Sequence, residues 1–139
     1  MADFPTLLQP VLDCVNIRET AEFYRRLLGY TYRAGEEPPA EGSDEPDDAD
    51  WIVLLKPNGE RGMAFQQVDE LPRTTWPEPG VAQQYHLDLT VPSVADLEAQ
   101  HERVLALGAT LRFDRSDTPE EPLRVYADPA GHLFCIFVA

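Results

Sequence analysis

Residues Gln83–Pro92 read Gln-Gln-Tyr-His-Leu-Asp-Leu-Thr-Val-Pro. Apolar Leu87, Leu89 and Val91 alternate with polar His86, Asp88 and Thr90, the period of a strand with one face on a core and the other on something wetter. Ser93 follows as an N-cap, and Val94–Leu107 reads as a helix that Gly108 stops. Ala109–Phe113 reads as a strand, Asp114–Pro122 as a polar loop and Leu123–Ala127 as another strand. Asp128-Pro129-Ala130-Gly131 is a turn, and His132–Val138 is the last strand. The order is strand, helix and then three strands.

Working back towards the N-terminus, the same order is found a second time. Leu7–Val15 reads as a strand, and Asn16 caps a helix whose apolar stripe is Ile17, Ala21, Tyr24 and Leu28. Gly29 ends it, and Tyr30–Ala34 is a short strand. Trp51–Lys56 and Gly62–Val68 form a hairpin about the turn Pro57-Asn58-Gly59. Leu28-Gly29-Tyr30-Thr31-Tyr32-Arg33 matches Leu107-Gly108-Ala109-Thr110-Leu111-Arg112 as Leu-Gly-x-Thr-x-Arg, and the Pro-x-Gly turn recurs at 57–59 and 129–131. The predicted fold is therefore α+β, two tandem βαβββ modules at about 5–68 and 83–139, within one domain spanning 1–139. Asp69–Val81, with three prolines and Trp76, reads as an irregular crossover between them.

Charge narrows the function. The 139 residues carry a net charge of −14, from 25 acids against 11 bases. No basic patch is present to meet phosphates, so a nucleic-acid partner is not expected. Gly35–Asp50 holds eight of the acids and no Lys or Arg. It reads as a mobile surface loop, dispensable for folding, with a sharper reading as an attractor of cationic ligands. No apolar run approaches membrane-spanning length, and no signal pattern opens the sequence, so no membrane partner and a cytoplasmic location are expected. Cys14 and Cys135 have no CxxC spacing and no disulfide framework, in keeping with a reducing compartment.

Several motifs together resemble the vicinal oxygen chelate superfamily of glyoxalases, bleomycin-resistance proteins and dioxygenases, and within it the glyoxalase-like branch common in actinobacteria. They are Phe23-Tyr24-x-x-Leu27-Leu28-Gly29, Gln84-Tyr85-His86-Leu87-Asp88, Ala106-Leu107-Gly108-Ala109 and Asp128-Pro129-x-Gly131-His132-x-Phe134, with Thr75-Trp76-Pro77 and Phe134-Cys135 beside them. The resemblance implies curved sheets around a cup. In metal-dependent members it implies ligands from the first and last strand of each module. Here His86 occupies the first-strand position of the second module, and Cys135 stands where a Glu usually follows Phe. The first module offers Pro10 or Val11, and Ala64, or Gln66 on the same face.

A zinc or iron site needs at least three side chains that donate electron pairs. His86, Cys135 and Gln66 make a poor set, so the expected cup has no metal cofactor. The alternative is a divalent Zn, Fe, Ni or Mn ion on those three residues.

The expected function is binding of a small organic molecule in that cup, by sequestration as in bleomycin resistance or with acid–base chemistry. The alternative is a metal-dependent lyase, isomerase or dioxygenase of glyoxalase type. His86 is the candidate catalytic residue, as general base or hydrogen-bond donor. Asp88 shares its parity. Arg124 and Tyr126 alternate with Leu123, Val125 and Ala127, so they point into the cup if the apolar set packs on the helix; otherwise Arg124 faces solvent. Cys135, on the parity of Leu133 and Phe137, reads as apolar cup wall, and Trp76 as its roof or as a cover on a sheet edge. A homodimer is expected by analogy with related proteins.

Overall fold

The computed structural model describes residues 3–139 and divides them into two compact units, one running to Asp69 and the other from Glu70 to Ala139. The division falls at the end of the first predicted module. The crossover that the sequence leaves between modules belongs with the second.

In the first unit, β1 (Val11–Cys14) leads into α1 (Ile17–Leu28), then β2 (Thr31–Tyr32), β3 (Trp51–Leu55) and β4 (Arg61–Gln67). The sheet order is β1-β4-β3-β2, with β1 parallel to β4 and the other neighbours antiparallel. The Asn16 side chain accepts from the Glu19 N–H, and Gly29 closes α1 at φ 70°, a conformation only glycine adopts freely. The helix buries a wider face than the predicted stripe: Thr20, Phe23 and Leu27 join Ile17, Ala21 and Tyr24. Tyr24 stacks on Phe65 of β4 with ring centroids 5.8 Å apart, over the fully buried Ile52 and Leu54 of β3. Such an aromatic pair adds about 1 kcal/mol to its area burial.

The acidic segment has no regular structure, as expected, but it is tied down. Arg18 of α1 donates from Nε and Nη2 to the two carboxylate oxygens of Asp47, at 2.9 and 3.0 Å, and from Nη1 to the Glu36 carbonyl. Glu36 in turn pairs with Arg33 and accepts the Val53 N–H at 2.8 Å. The stretch is a surface loop, and a helix cation and a strand amide tie it near its two ends.

The second unit repeats the plan with β5 (Leu87–Val91), α2 (Val94–Leu107), β6 (Thr110–Arg115), β7 (Leu123–Ala127) and β8 (Leu133–Val138). Its order, β5-β8-β7-β6, is that of the first sheet, again with one parallel pair. Tandem βαβββ modules are thus present as topology as well as sequence. Ser93 Oγ accepts from Asp96 N–H to open α2, and Gly108, at φ 110°, closes it. Asp128 makes the turn before β8 by accepting three backbone N–H groups, from Ala130, Gly131 and His132, on one oxygen.

Candidate functional site

The strand register assigns every side chain of the second sheet to a face. Asp88 pairs with Cys135 and Thr90 with Phe137 across β5 and β8, while Val125 pairs with Cys135 and Leu123 with Phe137 across β7 and β8. These residues share one face. Leu87, Leu89, Phe134, Ile136 and Tyr126 share the other, where the buried Leu97 and Val104 of α2 belong to the core.

On the first face Val125, Ala127, Leu133 and Cys135 form a buried apolar cluster, with Trp76, Leu123 and Phe137 packed against it. A cavity of about 290 Å³ opens above them. Its walls are Trp76, Phe113 and Phe137, and its floor is Leu123, Val125 and Cys135. Gln83, His86, Asp88, Arg115 and Glu121 supply the polar groups. The crossover reaches the cavity because Arg112 donates from Nη2 to the carbonyls of Thr74 and Trp76, and Trp76 meets Phe113 edge to face at 5.6 Å.

His86, just ahead of β5, brings Nε2 to 3.1 Å from Asp88 Oδ1, with both side chains about half exposed. A histidine held this way has its orientation set by the carboxylate and its other ring nitrogen left for a ligand. Burial, and then the carboxylates of Asp88 and Glu121, push the Cys135 thiol up to about 11. It is a neutral S–H at physiological pH, a wall residue rather than a nucleophile.

Arg124 and Tyr126 lie on the helix face, a correction to the orientation that places them in the cup. Arg124, only 6% exposed, donates to Glu98 of α2 at 2.8 Å, to Asp114 of β6 at 3.1 Å and to Ser116. Burial alone would lower its pKa, but the hydrogen bonds it donates to Glu98 and Asp114, with their charge, outweigh it and leave it raised. The Tyr126 hydroxyl is 2.9 Å from His101 Nδ1. The physical reason is that a buried guanidinium needs acids within reach, and Glu98 and Asp114 stand beside the helix face. Leu123, Val125 and Ala127 are left to line the other face.

Gln66 lies in the first unit, exposed on β4 and in register with Asp13 and Trp51. Ala64 pairs with Val11 there, as Cys135 pairs with Asp88 in the second unit. Counted from the helix caps, His86 stands seven residues before Ser93, and Gln9 seven before Asn16. Gln9, whose Oε1 accepts from Arg61 Nε at 2.9 Å, is therefore the counterpart of His86, in place of Pro10 or Val11. Leu123 and Val125, set on the helix side by the reading that put Arg124 in the cup, line the cavity instead, and Gln83, Phe113, Arg115 and Glu121 escape sequence reasoning altogether.

Two mixed four-stranded sheets, each built in βαβββ order, give the fold of the vicinal oxygen chelate superfamily. The chain belongs to the Glyoxalase-like domain family, whose model matches residues 9–137. Among solved structures it is similar to the fosfomycin resistance protein FosX from Mesorhizobium loti, at 14% identity and TM-score 0.65, covering 100% of this chain and 94% of that one. FosX from Listeria monocytogenes, complexed with Mn(II) and sulfate, gives 16% identity and TM-score 0.64, covering 100% and 94%. A glyoxalase/bleomycin resistance protein/dioxygenase family enzyme from Burkholderia phytofirmans gives 14% and 0.65, covering 94% and 96%. At these identities the likeness is one of fold. No protein with a curated description matches the chain.

The Listeria protein's manganese raises the question of whether this donor set suits a metal. Among the described residues no three His, Cys, Asp or Glu side chains converge. His86 Nε2 is engaged with Asp88, and the Cys135 thiol would have to ionise against two nearby carboxylates. In the first module Ala64 has no side-chain donor, and Gln9 offers only a weak amide oxygen that already accepts from Arg61. The residues do not fit a tight divalent site.

Proposed function

We propose that the protein binds a small organic molecule in the cavity of its second module without a metal, and acts by sequestering it. The observation that carries this reading is the cavity itself, with aromatic and aliphatic walls, a few polar groups and, among the described residues, no three side chains grouped to hold a metal. Ligand sites of this kind are concave, mostly apolar and fixed by a few polar groups. A cytoplasmic location and a homodimer go with the proposal.

A second reading is favoured by the 3.1 Å contact between His86 and Asp88. There the same cavity carries out acid–base chemistry, with the carboxylate orienting the imidazole as a general base. The metal-dependent lyase, isomerase or dioxygenase is the alternative to both.

The test is a ligand-observed NMR screen of small organic molecules against the wild type and Cys135→Trp, which fills the cavity floor. Hits lost in the variant support the reading, and hits indifferent to it place binding elsewhere. Elemental analysis of the same preparation should find well under one equivalent of Zn, Fe, Ni or Mn. EDTA should leave the melting temperature unchanged. Near-stoichiometric metal lost in His86→Ala would restore the metal-enzyme alternative.

A further inference from the structure

We infer that the ligand of this cavity is a flat organic cation, an amine or amidinium on an aromatic body, in preference to an anion. The inference rests on the reading of the cavity as a ligand site and adds the chemical class.

Three independent features point the same way. Asp88 and Glu121 both line the cavity, and their field reaches its floor, where both oppose ionisation of Cys135. The fixed positive charge in the lining is Arg115, exposed on β6, with Glu121 to offset it. The protein as a whole carries −14, which draws cations and repels anions at long range.

The second feature is Gln83. It lines the cavity, and its Oε1 is buried with no hydrogen-bond partner. A desolvated acceptor left unpaired is costly, and the terminal amide torsion is soft enough to turn the oxygen towards an N–H donor in the cavity. An anion offers no such donor.

The third feature is the wall. Trp76 and Phe113 meet edge to face, and Phe137 completes an aromatic surface against which a flat cation gains both apolar contact and attraction to the ring faces. Arg112 fixes the backbone that carries the indole, so the surface is formed before a ligand arrives.

The experiment uses three probes with one body and different heads: naphthalene-2-carboxamidinium, 2-naphthamide and 2-naphthoate, titrated calorimetrically against the full chain at low salt. The amidinium should bind at least about tenfold more tightly than the naphthoate, as charge-assisted hydrogen bonds do over a repelled head. Added salt should narrow the gap. Asp88→Asn and Glu121→Gln should each narrow it too. Gln83→Leu should weaken amidinium and amide alike and leave the naphthoate unchanged, while Gln83→Glu should strengthen the amidinium.

Melting curves establish that each variant is folded. Naphthoate binding as tightly as the amidinium, or a gap indifferent to both acid substitutions, would overturn the cation inference while leaving the ligand site standing. Failure of all three probes to bind would overturn the site reading as well.

Discussion

The Tyr126 hydroxyl and His101 Nδ1 lie 2.9 Å apart, with the phenol fully buried on the helix face of the second sheet. Burial pushes the Tyr126 pKa up to about 12. An unfolded tyrosine titrates near about 10. The folded state therefore favours the neutral phenol, and this contribution is complete below about 10 and lost as pH rises from there towards 12. Tyr126→Phe should cost about 1 kcal/mol at neutral pH, because His101 loses its partner. It should also make the fall in melting temperature between pH 9 and pH 11 shallower than in the wild type. Parallel alkaline curves would show that the phenol stays out of the titration.

Arg124 tests which face matters for binding. Its acids Glu98 and Asp114 are partly exposed and can rehydrate when the cation is removed. Arg124→Ala should therefore destabilise by about 1–2 kcal/mol, less than the loss of a fully buried partner. Affinity for any cavity ligand should be unchanged after correction for folded fraction. Denaturant melts and ligand titration on one preparation give both numbers, and a large affinity loss with intact stability would return Arg124 to the site.

Cys135 should be slow to alkylate. A shift from 9.0 to about 11 reduces the thiolate fraction at pH 8 by about a hundredfold. Iodoacetamide labelling of Cys135, followed by peptide mass spectrometry, should rise with pH up to about 11. Asp88→Asn should speed it by removing one of the opposing carboxylates. Fast labelling at neutral pH would mark an activated nucleophile and favour the catalytic reading.

Glu36 should matter more than its neighbours in the acidic segment. Replacing residues 37–46 with a Gly/Ser linker keeps Glu36 and Asp47, and should leave the melting temperature within a few degrees. Glu36→Ala removes the acceptor of the Val53 N–H and should cost about 1 kcal/mol, whereas Glu36→Gln keeps an acceptor and should cost less. Equal melting of all three proteins would show that the ties are incidental.

Much of the fold was legible because local signals agreed. Ser93 and Gly108 bound α2 at the predicted residues, and Leu123–Ala127 is the strand its alternation describes. The sides of the sheet were harder. Alternation separates two faces but does not say which one a helix covers. On α2 the polar pair Glu98 and His101, three residues apart, meets Arg124 and Tyr126; that spacing was the available signal.

Phe113 was out of reach for another reason. A register shift between Leu111 and Phe113 puts Leu111 opposite Tyr126 and Phe113 opposite Val125. An irregularity of this kind breaks period-two parity, so two odd-numbered residues of one strand face opposite ways. Gln83 and Glu121 lie outside regular strands, where periodicity says nothing.

The tie between Glu36 and Val53 has a consequence for self-association. β2 is only two residues long and pairs with Leu54 and Leu55, so the outer edge of β3 from Trp51 to Val53 has no strand beside it. Open edges of apolar strands are templates for adding another chain. Here the Arg33 N–H donates to the Val53 carbonyl and Glu36 takes the Val53 N–H, so both Val53 backbone groups on that edge are occupied. The run of acids that follows Glu36 adds like-charge repulsion against a second copy approaching from that side. The segment works as a guard on the edge, keeping a strand of sequence Trp-Ile-Val-Leu-Leu from seeding aggregates.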